Sequence, residues 1–320
     1  MKNDNELPLI SIIIVFNNHQ SLVNRCLNSI VNQSYPKFEL LAINDGSTDF
    51  TLNQLRQWGD EDDRIRVVSN LHTGLAASRN LGLRLVKGKF VLFLHSDVLL
   101  KQDALSLLLE GMSYGADLTM SCSCILKNSD QNRQLQYTEQ VLQTLLCSDY
   151  LFSLNGILFK RFILLDGLES ETWEEQNIKQ LSEAFGLSTW IFLLSDDEIY
   201  QNPIEVNRTL YDEINSLLLC DIMEKEFIQQ FPEMKSLIYT KVFQIELTVL
   251  RTILGKEKSV LKKSKLKTIW AKLLKDKHEV DWQEINDPEV IKSLKETHWG
   301  RQIFLFLQKH QYKLQNSFKD

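Results

Sequence analysis

Four short apolar runs, each followed by a stretch with helical spacing, constrain this chain more than any other feature. The runs are Leu9–Phe16, Phe38–Ile43, Ile65–Val68 and Phe90–Leu94. They are continuous rather than alternating, which marks strands buried on both faces. After the first run, Ser21–Gln33 carries Leu22, Val23, Cys26, Leu27, Ile30 and Val31 at helical spacing, and Tyr35-Pro36 ends it. Thr51–Trp58 sets Leu52, Leu55 and Trp58 on one face, and Gly74–Lys87 turns Leu75, Ser78, Leu81, Leu85 and Val86 inward. Gln102–Met112 is a fourth helix. The order βαβαβαβα predicts an α/β domain with a mainly parallel sheet and helices on both faces.

After Asp117 the rhythm changes. Leu118–Leu126 reads as a strand, Asn128–Asn132 as a polar turn and Gln136–Leu146 as a helix. Phe152–Phe159 reads as a loop or strand, Glu171–Ala184 as a helix and Thr189–Leu194 as a short strand. From about Asn207 the pattern is helical, with Pro232 and Pro288 as the strong breaks. A boundary near residue 206 follows: an α/β domain over 1–206 and a helical C-terminal extension over 207–320.

Bulk numbers narrow the function classes. Hydrophobic residues make up 43% of the chain and charged residues 24%, enough for a sizeable core. The net charge of −6 argues against a nucleic-acid partner. That average conceals nine Lys against two acids between Lys256 and Lys277, so a basic surface would be local. The five Cys (26, 122, 124, 147, 220) match no zinc or disulfide spacing, which suits a reducing, cytoplasmic setting. The polar N-terminus reads as lacking a signal peptide, and no apolar run reaches the ~18–20 residues of a membrane span.

Two acidic clusters follow the buried runs. Asn44-Asp45-Gly46-Ser47-Thr48-Asp49 follows the second strand, and His95-Ser96-Asp97 follows the fourth. In an open α/β sheet, side chains at the carboxyl ends of strands face the crevice where ligands bind. A carboxylate there can accept from a nucleotide base or ribose, or hold a cation that neutralises phosphates. Gly46 would let the backbone approach a ligand closely. Asp49 reads instead as a cap of the next helix.

Two further segments complete the pattern. Strand one ends in Val15-Phe16-Asn17-Asn18, and the third helix opens with Gly74-Leu75-Ala76-Ala77-Ser78-Arg79-Asn80-Leu81-Gly82. In this order and spacing the set resembles the family 2 glycosyltransferases, inverting enzymes of the Rossmann-like GT-A fold. The resemblance is strong over residues 7 to about 112 and weaker to about 202. It implies that Asp45 binds the base or ribose of a nucleoside diphosphate sugar, with UDP the commonest nucleotide. It places Phe16, Asn17, Gly46, Arg79, His95 and Ser96 around that ligand. Phe16 would line the base pocket or, equally, pack as a core residue. Arg79 would meet phosphate or base oxygens, or pair with Asp45 or Asp97.

The resemblance implies that Asp97 ligates Mn2+ or Mg2+. His95 stands where the family usually has a first acid, which lowers the charge at the site; it can still hydrogen-bond a ribose hydroxyl. The family's general base corresponds to Glu175, with Glu174 as the alternative, in Trp173-Glu174-Glu175-Gln176. Glu in place of Asp extends the carboxylate by roughly 1.5 Å, which bears on attack geometry. Without the resemblance, the pair reads as acids favoured by a helix N-terminus. Trp173 would stack on a sugar or pack, and His72 would lie near the diphosphate or in solvent. Tyr200 reads as core. The implied acceptor is a glycan, glycolipid or glycoprotein. The Lys-rich segment 256–277 reads as an amphipathic helix, docked on its own domain or lying on an anionic membrane surface. Ile303–Leu307 reads as core or an oligomer contact. A non-catalytic, carbohydrate-binding relative with a degenerate site is the competing reading.

Overall fold

The computed structural model describes residues 7–121, 133–147, 153–164, 173–201 and 213–255. It divides into two compact units, Met1–Asn207 and Arg208–Asp320.

The first unit is built on one eight-stranded sheet. Its opening half alternates β1 (Ile10–Phe16), α1 (Val23–Val31), β2 (Phe38–Asp45), α2 (Thr51–Glu61), β3 (Ile65–Asn70), α3 (Leu75–Leu85), β4 (Phe90–Leu94) and α4 (Ala104–Ser113). There follow β5 (Leu118–Ser121), β6 (Arg133–Tyr137), α5 (Thr138–Cys147) and β7 (Ile157–Lys160). The unit closes with α6 (Trp173–Gly186), β8 (Trp190–Leu194) and the short helix α7 (Asp196–Ile199). The strand order is β3-β2-β1-β4-β7-β5-β8-β6.

Strands β1 to β4 pair in parallel, as do β5 and β8, while β7 runs antiparallel to β4 and β5. The parallel core is the one the continuous apolar runs predict, because β1 and β4 are buried along almost their whole length. Register brings Phe16 opposite Asn44 and Ile14 opposite Leu94, so β1 and β2 end nearly level and β4 ends two residues short of β1. Helix α3 lies close on this sheet at Gly82, where an added Cβ would come within 2.8 Å of the Ile13 side chain.

One expectation is corrected. Gln136 and Tyr137 do not open a helix; Arg133–Tyr137 is strand β6, antiparallel to β8, and α5 starts at Thr138. Its sequence, Arg-Gln-Leu-Gln-Tyr, lacks an apolar face because no residue of the strand is fully buried. Long-range pairing decides it: Tyr137 lies opposite Trp190, with ring centroids 3.9 Å apart. Within Phe152–Phe159, a strand begins at Ile157.

The second unit contains α8 (Glu213–Gln230), a 3-10 turn at Pro232–Met234 and α9 (Lys235–Gly255). The two helices pack on each other, burying Phe227, Ile238 and Phe243. The Lys-rich segment 256–277 and Ile303–Leu307 lie outside the described residues, as do Cys122 and Cys124. No helix among the described residues is long and apolar enough to cross a membrane.

Candidate functional site

The loops leaving β1 and β2 are stitched together by polar side chains. Asn17 Nδ2 donates to the Asp45 carbonyl at 2.5 Å, and the Asn18 amide donates to Ser47 Oγ at 3.0 Å. In return Thr48 donates its amide to Asn18 Oδ1 at 2.8 Å. The His19 amide reaches Thr51 Oγ1 at 2.8 Å. Asp49 accepts the Thr51 amide at 2.9 Å, where α2 starts, and the Gln20 amide at 3.2 Å. This corrects the expected cap: Phe50 occupies the N-cap position of α2 with no side-chain cap bond, and Asp49, one residue earlier, makes an Asx-type turn to Thr51.

Asp45 is buried at the end of β2. Its carboxylate accepts the backbone amides of Thr73 at 2.8 Å and Gly74 at 3.0 Å, at the entry to α3. A carboxylate has about four lone-pair sites, so two donors leave acceptor capacity for a ligand. Gly46 has φ +67, and a Cβ there would fall 2.7 Å from His72. No other residue type suits both the left-handed backbone and that contact. His72 is largely exposed, with Nδ1 3.2 Å from the Asp45 carbonyl oxygen. Phe16 requires a correction. Its ring is fully buried in the core cluster, so it offers no face to a base. The inward phase of β1 wins over its position at the strand end.

A second group gathers at the end of β4. Arg79, from α3, is buried; Nη1 donates to Asn177 Oδ1 at 2.9 Å and Nη2 lies 3.4 Å from His95 Nε2. The His95 amide donates to Asn155 Oδ1 at 2.9 Å. Burial, reinforced by the neighbouring Arg79 charge, pushes the His95 imidazole down to about 4, so it is neutral at pH 7. Ser96 Oγ is buried and lies 2.7 Å from His19 Nδ1. Asp97 is exposed, and among the described residues its carboxylate has no hydrogen-bond or ion-pair partner.

Among the described residues no group of three or more His, Cys, Asp or Glu side chains forms a complete metal site. The donor set that exists is one exposed carboxylate, beside an imidazole whose Nε2 faces a guanidinium. That set fits a hard divalent cation that takes its remaining ligands from phosphate and water, as Mg2+ commonly does.

Helix α6 carries the candidate bases. Glu175 Oε1 is paired with Lys179 Nζ at 2.7 Å, one turn along the helix, and its side chain is 13% exposed. The side chains of Trp173 and Glu174 lie outside the described residues. Gln176 and Asn177 are buried and dock α6 on α3, Gln176 Nε2 donating to Asn80 Oδ1 at 2.7 Å. Asn17, Asp45, Gly46 and His72 thus meet on one side, and Arg79, His95 and Ser96 on the other. Glu175 is tied to Lys179 on its own helix. Sequence reasoning passed over His19, Asn155 and Asn177 as site residues. Only His19, two positions after Asn17, had a local signal.

Residues 11–165 match the family model described as glycosyl transferase family 2. The chain is 27% identical over 214 residues to glycosyltransferase GlyA of Streptococcus pneumoniae serotype 4, covering 63% of this chain and 30% of GlyA. It spans less than a third of the length of the curated relatives that lead this comparison. The crystal structure of S. aureus TarS 1-349 in complex with UDP superposes with a TM-score of 0.58 at 17% identity, over 89% of this chain and 82% of that one. The mannosyltransferase PcManGT of Pyrobaculum calidifontis, solved with GDP-Man and Mn2+, gives a TM-score of 0.54 at 16% identity, over 85% of this chain and 82% of that one. At these identities the structural likeness concerns the fold.

Proposed function

We propose, from the match of residues 11–165 to the glycosyl transferase family 2 model, that this chain is an inverting, metal-dependent glycosyltransferase. It moves a hexose or N-acetylhexosamine from a nucleoside diphosphate sugar to a glycan, glycolipid or glycoprotein acceptor. The UDP complex of the S. aureus neighbour supports UDP as the nucleotide. The observation that carries the reading is the placement of two acids about the end of β1. Asp45 ends β2 and Asp97 follows β4, and these strands flank β1 in the sheet. The order β3-β2-β1-β4 reverses its direction of growth between β1 and β4, and such a switch point opens a ligand crevice.

In this reading Asp45 accepts from the base or ribose with the lone pairs left over from Thr73 and Gly74. Asn17 and Gly46 line that end of the crevice. Arg79, His95 and Ser96 form the wall beside the diphosphate and ribose. Asp97 would hold Mn2+ or Mg2+ together with diphosphate oxygens, and the ion would offset charge developing on the leaving group. Glu175 is the proposed general base, with Glu174 as the alternative. The base takes the proton of the acceptor hydroxyl, its oxygen bonds to the anomeric carbon, and the bond from that carbon to the diphosphate breaks on the opposite face. We place the reaction in the cytoplasm, with the Lys-rich segment 256–277 as a peripheral membrane contact.

The test is turnover of a panel of UDP-, GDP-, CDP- and dTDP-sugars with Mn2+, by wild type and Asp97→Ala. Turnover of one donor, lost in the variant, supports the proposal. The ion pair at Glu175 favours a second reading, a carbohydrate-binding subunit without catalysis. Donor binding without turnover of any sugar would support that reading instead.

A further inference from the structure

We infer that Asn177 is a positioning residue that, through Arg79, fixes His95 as the neutral tautomer carrying its proton on Nδ1. Its kinetic consequence rests on the glycosyl-transfer reading; the tautomer itself does not.

A guanidinium has five N–H donors and no acceptor, and it stays charged in proteins. Arg79 Nη2 lies 3.4 Å from His95 Nε2, so that nitrogen must present its lone pair. In a neutral imidazole the single proton then sits on Nδ1. A long side chain has many rotamers, and each contact to the Arg79 guanidinium narrows them. Its other arm is fixed by Asn177 Oδ1 at 2.9 Å, and the guanidinium sits 5.8 Å from the Phe93 ring centroid. Both Arg79 and Asn177 are buried.

The unused half of Asn177 supports a specific role for its oxygen. Its Nδ2 is buried and has no hydrogen-bond partner among the described residues. A buried polar group that leaves one end unsatisfied carries a penalty that an apolar residue would avoid. The carbonyl end, turned to Arg79, is the part the site uses.

The chemical result is a change of sign at the end of β4. An ionised acid at position 95 would carry acceptors alone, whereas this His95 carries one ring N–H, at Nδ1. A donor suits an oxygen lone pair of the nucleotide sugar. Asn177 also stands two residues after Glu175 on α6, so one helix carries the candidate bases and sets the tautomer of the residue that follows β4.

The experiment uses the full chain labelled with 15N. Long-range proton–nitrogen correlations at pH 7 report which ring nitrogen of each His is protonated, and loss of a signal in H95Q assigns His95. We expect Nδ1 protonated and Nε2 bare in the wild type. Asn177→Ala should give a mixture of tautomers and lower kcat/KM about 10–100-fold, with the fold monitored by thermal melting. Asn177→Asp restores an oxygen facing Arg79 and should keep the wild-type signature. A wild-type His95 protonated on Nε2 would overturn the inference, as would an unchanged signature in N177A. If N177A does not fold, the wild-type spectrum still decides. If the tautomer is as stated and no donor is turned over, the glycosyl-transfer reading fails and the assignment stands.

Discussion

Lys179 sets its ammonium 2.7 Å from Oε1 of Glu175, one turn along the same helix. A carboxylate held this way is kept oriented, which a general base needs before substrate arrives. It also has a competitor for its lone pairs. The two effects make Glu175 the most informative residue to alter. Glu175→Gln should lower kcat/KM for sugar transfer by about 10²–10⁴-fold, the usual contribution of a general base. Glu174→Gln should lower it by less than about tenfold. Steady-state kinetics decide it, and the reverse ranking would move the role to Glu174.

Asp45 and Asp97 should separate stability from activity. Asp45 is buried and binds two backbone amides, so Asp45→Ala should cost about 1–3 kcal/mol of folding stability as well as nucleotide affinity. Asp97 is exposed without a partner among the described residues. Asp97→Ala should stay within about 0.5 kcal/mol of wild type while losing turnover. Urea denaturation beside UDP titration calorimetry checks both.

Gly46→Ala should be costlier than Gly115→Ala. Both glycines have positive φ, +67 and +93, but only Gly46 faces a neighbour within 4 Å. The backbone penalty of about 1–2 kcal/mol is common to both. The clash with His72 adds to it at Gly46 alone, so the denaturation midpoint should fall further there.

His95 predicts an acid-sensitive term. Its folded value of about 4 lies below the ~6.5 of an unfolded His. Between those values the unfolded chain binds the extra proton, so stability is full above about pH 6.5 and is lost as pH falls towards 4. The upper bound is on the order of 3 kcal/mol. His95→Gln should remove this slope, so the stability difference between pH 7 and pH 4.5 should shrink relative to wild type. An equal slope in both proteins would show that His95 does not contribute it.

The legible part of this molecule was the part governed by local pattern. β1 and β4 announce themselves because burial on both faces demands unbroken apolar runs. β6 does not, since Arg133–Tyr137 has a polar edge character and becomes a strand only by pairing with β8. The same division holds at the site. Asp45 is visible as an acid following a strand, but its partners are backbone amides, which every residue carries. Asn177 meets Arg79 across 98 positions and Ser96 meets His19 across 77, separations at which spacing carries no information. Phe16 was misleading because a strand-end aromatic can turn inward or outward, and the packing of β1 settles which.

The polar character of β6 has a further effect, on solubility. The strand it covers, β8, reads Trp-Ile-Phe-Leu-Leu and is almost wholly buried. Left at the margin of the sheet, such a strand would be a template for pairing with another molecule. β6 takes that place with a short strand bearing Arg133, which is anchored to Glu110 and Glu198. The rim that meets solvent is therefore charged and brief, and the adhesive strand is kept one layer inside.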